Sequence, residues 1–172
     1  MFLSKVILPP GVSDYEVHQH LHLQFEREGR GFLFRRVGDA VDMLSIERPK
    51  RPSTELPSAK LRPRFPMPFC ADLVITRAKF ERGKAGVRCD VRDHEERRAW
   101  LRQQLVGCAD VPFARFRDRW ITLQNGTRRL VAQCTGTLVI TDATSFAEKL
   151  QTGIGRNKAF GCGLIWIPEV ME

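Results

Sequence analysis

Between Arg48 and Pro68 the chain carries six prolines and six lysines or arginines. A proline offers no amide to a helix or a sheet ladder and clashes with the turn before it, so neither a helix nor a central strand is expected to run through this stretch. It reads as an extended basic connector, and the fold must be assembled from what lies on either side. The expected division is an N-terminal unit over 1–68, ending with the connector, and a C-terminal unit over 69–172.

The two sides share a grammar. Phe2 to Leu8 reads as a strand, and Ser13-Asp14-Tyr15-Glu16 has the S-x-x-E form of a capping box. This predicts a helix from about Tyr15 to Glu28, ended by Gly29 and Gly31. Strands are predicted over Phe32 to Arg36 and Val41 to Glu47. Beyond the connector, Phe69 to Thr76 and Val87 to Val91 read as strands, and Asp93 to Val106 as a helix in which Ala99, Leu101 and Leu105 are apolar. Phe116 to Leu123 and Arg128 to Ile140 alternate apolar and polar residues around Asn125-Gly126, a strong hairpin signal. Thr141-Asp142 opens a last helix through Leu150, and a glycine-rich stretch leads to an apolar strand over Cys162 to Ile167. The order of elements suggests an α+β protein of two tandem ferredoxin-like, RNA-recognition-motif-like domains, the first abbreviated.

Twenty-eight Lys and Arg against twenty Asp and Glu give a net charge of +8. That balance favours a polyanionic partner such as nucleic acid, without choosing RNA over DNA. No run of eighteen apolar residues occurs, and Met1 to Leu8 is too short for a signal peptide, so the expectation is a cytoplasmic protein with no membrane association. Five cysteines stand singly and never as CxxC, which argues for reduced thiols and against a disulfide framework or a zinc knuckle.

Three segments carry chemistry. Gly153-Ile154-Gly155-Arg156-Asn157-Lys158-Ala159-Phe160-Gly161-Cys162-Gly163 puts four glycines and two cations between a helix and a strand. Two readings fit it: an anion cradle built from close backbone amides, or a flexible turn that happens to carry Arg156 and Lys158. Neither GxGxxG nor GxxxxGK[ST] occurs, which disfavours a mononucleotide site. The hairpin bears Arg115, Arg117, Arg119, Arg128 and Arg129 against Asp118 alone. It reads as a phosphate- or base-contacting ribbon or, alternatively, as a solvated sheet face. On the first helix Tyr15, His18 and His22 share a stripe beside the apolar Val17, Leu21 and Phe25, while His20 points elsewhere. Were the segment a strand, His18, His20 and His22 would share one face and could ligate a metal; the capping box and glycines favour the helix, and no acidic cluster supports a two-metal nuclease.

The opening strand with Ser4-Lys5-Val6, the helix carrying Tyr15-x-x-His18, the middle-helix Ala99-Trp100-Leu101 and the terminal GIGRNKAFGCGLIWIP together resemble the CasE family, the CRISPR repeat-RNA endoribonucleases of type I-E Cascade. The resemblance is strongest over 1–25 and 132–168, and 40–68 is shortened relative to it. It implies two ferredoxin-like domains, binding of a CRISPR repeat RNA hairpin, and cleavage at the 3′ side of the stem base without metal or other cofactor. It further implies a crRNA product that stays with Cascade backbone subunits. By motif position the catalytic residues are His18 and Tyr15, with Lys158 near the scissile phosphate. Gly153, Gly155, Gly161, Gly163 and Arg156 would shape the RNA cleft. A non-catalytic RNA-binding subunit of a CRISPR effector complex is the alternative.

Metal-free RNA cleavage uses the ribose 2′-hydroxyl as nucleophile. It needs one group to take that proton, one to protonate the leaving 5′-oxygen, and positive charge on the phosphorane. Histidine, with a pKa near neutrality, suits both proton transfers.

Overall fold

The computed structural model describes residues 1–25, 31–57, 60–79, 87–122 and 126–172, apart from the side chains of Tyr15 and Val87. The first sheet is built from β1 (Phe2–Ile7), β2 (Phe32–Val37), β3 (Ala40–Ser45) and β4 (Thr54–Glu55), in the order β2-β3-β1-β4 with every pair antiparallel. Helix α1 (Asp14–His22) joins β1 to β2. This is the strand order of a ferredoxin-like sheet lacking its second helix. Segment 46–53 takes that helix's place, and β4 reaches its edge position through a connector whose prolines forbid a helix.

The second sheet repeats the arrangement. Strands β5 (Pro66–Leu73), β8 (Ala109–Thr122) and β9 (Arg128–Ile140) run in the order β5-β9-β8. A bridge between Cys70 and Trp166 lays the C-terminal segment along the free edge of β5. Helices α2 (His94–Gln104) and α3 (Ala143–Thr152) cover one face, burying Leu101, Leu105, Phe146 and Leu150 against Phe69, Leu73, Ala132 and Leu138. A two-stranded ribbon, β6 (Thr76–Lys79) and β7 (Val87–Asp90), is inserted between β5 and α2. A short α4 (Pro168–Met171) ends the chain.

Register decides which residues look where. In β5, Ala71 opposes Cys134 and points to the helices, while Cys70 opposes Thr135 and Asp72 opposes Gln133 on the uncovered face. In the first sheet Phe34 opposes Met43 under α1, and Arg35 opposes Asp42 on the other side. The two uncovered faces approach one another there. Arg35 donates to Cys70 Sγ at 2.9 Å and lies 4.2 Å over the Trp166 ring, while Leu33 and Leu44 share a core with Ile165 and Ile167.

Several expected boundaries move. The first helix stops at His22, not Glu28: the Gln24 carbonyl accepts from Lys50 of the connector, and Phe25 is buried in a stack on Phe32 at 5.4 Å. Residues 26–30, with the expected stop at Gly29, lie outside the described residues, as does Asn125 of the hairpin turn. The connector is not wholly irregular, since it contributes β4, buries Leu56 and Leu61, and enters β5 at Pro66. Strand β8 begins at Ala109, well before Phe116, because a bulge between Asp110 and Phe113 keeps it paired with β9. The expected strand from Phe69 to Thr76 divides into β5 and β6, and the one over Cys162 to Ile167 is reduced to the Trp166 bridge by the positive φ of Gly163 and the helix opening at Pro168.

Candidate catalytic and nucleic-acid-binding site

Helix α1 is held at its start. The Ser13 side chain accepts from the Glu16 amide at 3.4 Å, and Glu16 Oε2 accepts from the Ser13 amide at 2.8 Å, which also holds the Glu16 carboxyl below its usual pKa. From β2, Arg36 donates to the Val12 carbonyl at 2.8 Å and to Asp14 Oδ1 at 3.2 Å. With Val17 and Leu21 fully buried, the neighbouring stripe carries His18 and His22, both half-buried. Their rings meet edge to face at 4.5 Å, and each lies on Phe32, at 5.4 and 5.0 Å. Burial first, and then repulsion from His22, hold the pKa of His18 below its ordinary 6.5. The imidazole is therefore neutral at pH 7 and competent as a base. His20 lines a separate depression with Pro10, Gly11 and Leu23. The three imidazoles do not share a face, and no trio of His, Cys, Asp or Glu suited to a metal ion occurs among the described residues. The Tyr15 side chain lies outside the described residues; its backbone is in the first turn of α1.

The glycine-rich loop folds into a 3-10 turn, Lys158–Phe160, that packs against both α1 and β2. The helix bearing His18 and the turn bearing Lys158 are thus neighbours, although 140 residues separate them (158 − 18). The Lys158 ammonium is turned back onto the Thr152 carbonyl at the end of α3. Arg156 is exposed.

The four glycines serve packing. Each has a positive φ, and a Cβ at Gly153 would meet Leu33 at 2.8 Å, at Gly155 Trp100 at 3.1 Å, at Gly161 Phe34 at 3.0 Å and at Gly163 the Ile154 carbonyl at 2.4 Å. The amides of Gly153, Gly161 and Gly163 donate to the carbonyls of Lys149, Lys158 and Asp72. An amide cradle for phosphate is therefore not what these three provide. They let the loop lie flat on β2 and α2, which fixes where Arg156 and Lys158 emerge.

The expected arginines fall into distinct environments. Arg115, Arg117 and Arg119 share the uncovered face of β8. Arg115 donates to Thr135 at 3.0 Å, and Arg117 is exposed without a hydrogen bond or ion pair among the described residues. Arg119 pairs with Asp72 at 2.8 Å. Near the turn, Arg128 stacks over Trp120 at 5.1 Å, and Arg129 is half-buried opposite Ile121. On α2 the cations fasten the helix to β8: Arg97, 1% exposed, holds Asp118 at 2.7 Å and the Val91 carbonyl at 2.8 Å, while Arg98 holds the Ala114 carbonyl at 2.9 Å.

Sequence reasoning missed Arg35 and Arg36. They line a cavity of about 520 Å³ between the two sheets together with Arg115 and Arg117. The run Phe32-Leu33-Phe34-Arg35-Arg36 hinted at them, since the strand's period of two sends Arg35 away from the face that buries Phe34. Phe32 and Phe34, the walls against His18, were also legible only as strand residues.

Residues 68–168 match the family described as CRISPR associated protein. No curated protein matches the chain in sequence. Among solved structures, the CRISPR-associated protein Cas6e from Escherichia coli str. K-12 superposes with a TM-score of 0.82 at 23% identity, covering 97% of this chain and 98% of that one. Thermus thermophilus Cse3, bound to an RNA representing a pre-cleavage complex, gives a TM-score of 0.82 at 21% identity, with 96% and 98% covered. A chain of a CRISPR RNA-guided surveillance complex gives 0.74 at 16% identity, with 97% and 98% covered. The fold is thus that of Cas6e and Cse3 over 96–97% of the chain.

Proposed function

The chain belongs to the family of CRISPR-associated proteins, and we propose that within it this protein is the endoribonuclease that cuts CRISPR repeat RNA into crRNA. The observation that carries the reading is the packing of α1, with its neutral half-buried His18, against the turn that bears Lys158. The solved relatives add support, as one is a CRISPR endoribonuclease bound to RNA and another a surveillance complex.

In this reading the repeat hairpin lies with the 3′ side of its stem base at α1. His18 takes the proton of the 2′-hydroxyl, whose oxygen attacks the adjacent phosphorus and leaves a 2′,3′-cyclic phosphate. Tyr15, one helical turn before His18, helps place the ribose. Lys158 leaves the Thr152 carbonyl for the phosphorane, where a positioned cation counters the developing charge. Arg117, Arg128 and Arg129 grip the RNA, Arg115 and Arg156 assist, and Arg119 holds the hairpin to β5 through Asp72. The four glycines, Gly153, Gly155, Gly161 and Gly163, shape the cleft by letting the loop pack closely. The product stays bound, so turnover is single, and the protein joins Cascade backbone subunits in the cytoplasm. The units 1–68 and 69–172 divide the work: the first supplies the base, and the second supplies the cation and most of the grip. No metal or cofactor takes part.

Incubation with a CRISPR repeat transcript tests this. One cut at the stem base that survives chelator and yields a cyclic phosphate is expected. Tight binding without any cut would instead make the protein an RNA-binding subunit.

A further inference from the structure

His22 has no part in the reaction as written, yet its ring touches that of His18 at 4.5 Å with the planes at 82°. Both rings are walled by Phe32, both sit on one stripe of α1 a single turn apart, and both are half-buried. Transesterification removes a proton from the 2′-oxygen and supplies one to the 5′-oxygen, on opposite sides of the same phosphorus. One imidazole cannot occupy both positions in one step. Two neighbouring imidazoles can, each within about 2.6–3.2 Å of its own oxygen. Such a contact also disfavours a second proton, since two imidazolium rings this close repel one another. Burial and the neighbouring ring both weigh against charge on His18, which makes it the ring suited to accept a proton.

We propose that His22 is the general acid of this site, passing its proton to the departing 5′-oxygen while His18 receives the proton of the 2′-hydroxyl. The proposal rests on the endoribonuclease reading above. The atoms balance without a further reactant: the 2′-oxygen to phosphorus bond forms as the phosphorus to 5′-oxygen bond breaks. The dyad begins and ends with one proton, moved from His22 to His18. His20 cannot serve, since it lines the separate depression beside Pro10 and Leu23.

The test is single-turnover cleavage of two repeat RNAs, one natural and one with sulfur replacing the 5′-bridging oxygen at the cut. A thiolate leaves without being protonated, so the sulfur substrate has no need of an acid. His22→Gln is expected to slow the natural substrate by roughly 10²–10⁴-fold and to cut the sulfur substrate at the wild-type rate, which also shows that the variant is folded. His18→Ala should be slow on both. The proposal is overturned if His22→Gln cuts natural RNA normally, if it is slowed equally on both substrates, or if Tyr15→Phe is the variant that sulfur rescues. A wild-type protein that cuts neither RNA overturns the endoribonuclease reading itself, a result distinct from all of these.

Discussion

At the scale of the residue, His18 shows how a side chain legible in sequence acquires its chemistry only from its surroundings. The resemblance to the CasE family pointed to it, while the surroundings that hold its ring neutral, burial against Phe32 and Phe34 and the neighbouring His22, are gathered by the fold. Its folded pKa lies below 6.5, so the folded chain binds fewer protons than the unfolded chain between the two values. The associated stability is fully present above pH 6.5 and is lost as pH falls through the folded value. The acid limb of kcat/KM should accordingly lie below pH 6.5. NMR titration is expected to place the His18 ring there and to show it moving upward in His22→Gln, as the repulsion is removed while the burial stays. A His18 titration at or above 6.5 in the wild type would contradict this. Lys158 was legible as a cation in the glycine-rich stretch, whereas its bond to the Thr152 carbonyl depends on the end of α3 and could not be read from the chain.

Among the elements, strands and helices were legible wherever local periodicity and capping agreed. The Ser13 capping box, the N-caps at Asp93 and Asp142, and the alternation of β8 and β9 all appear as expected. What failed to show was decided by distant partners. Lys50 holds the Gln24 carbonyl just past the first helix, the β8 bulge extends the hairpin, and the Trp166 bridge replaces a strand. The glycine loop is the clearest case, because its composition fits a phosphate cradle as well as close packing and only Leu33, Trp100, Phe34 and Ile154 choose between them. Gly163→Ala adds a Cβ 2.4 Å from a carbonyl oxygen at φ 90°, and should destabilise by at least about 2 kcal/mol. For a chain of this size that lowers Tm by roughly 4–8 °C. Gly107→Ala, also at positive φ but facing open space, should cost about 1 kcal/mol. Equal costs in thermal melts would argue against the packing role. The hairpin makes a parallel contrast. Arg117→Ala should weaken RNA binding and reduce the salt slope by about 1 with little change in Tm. Arg119→Ala, by breaking the pair with Asp72, should lower Tm. If Arg117→Ala leaves the salt slope unchanged, the hairpin is not a phosphate-binding element.

For the molecule as a whole, the two sheets share an order of strands, which explains why each half of the chain reads as a variation on one pattern. The sequence could not show that the units meet face to face. That meeting places Arg35 and Arg36 opposite Arg115 and Arg117, and it brings the Lys158 turn to α1. A net charge of +8 distributed this way suits a polyanion held across both units. The decisive measurement is cleavage of a CRISPR repeat transcript in EDTA by the wild type and by His18→Ala, with binding measured on both. One cut by the wild type is expected, with undiminished binding and no cut by the variant. A variant that still cuts, or a wild type that needs an added divalent ion, would contradict this expectation.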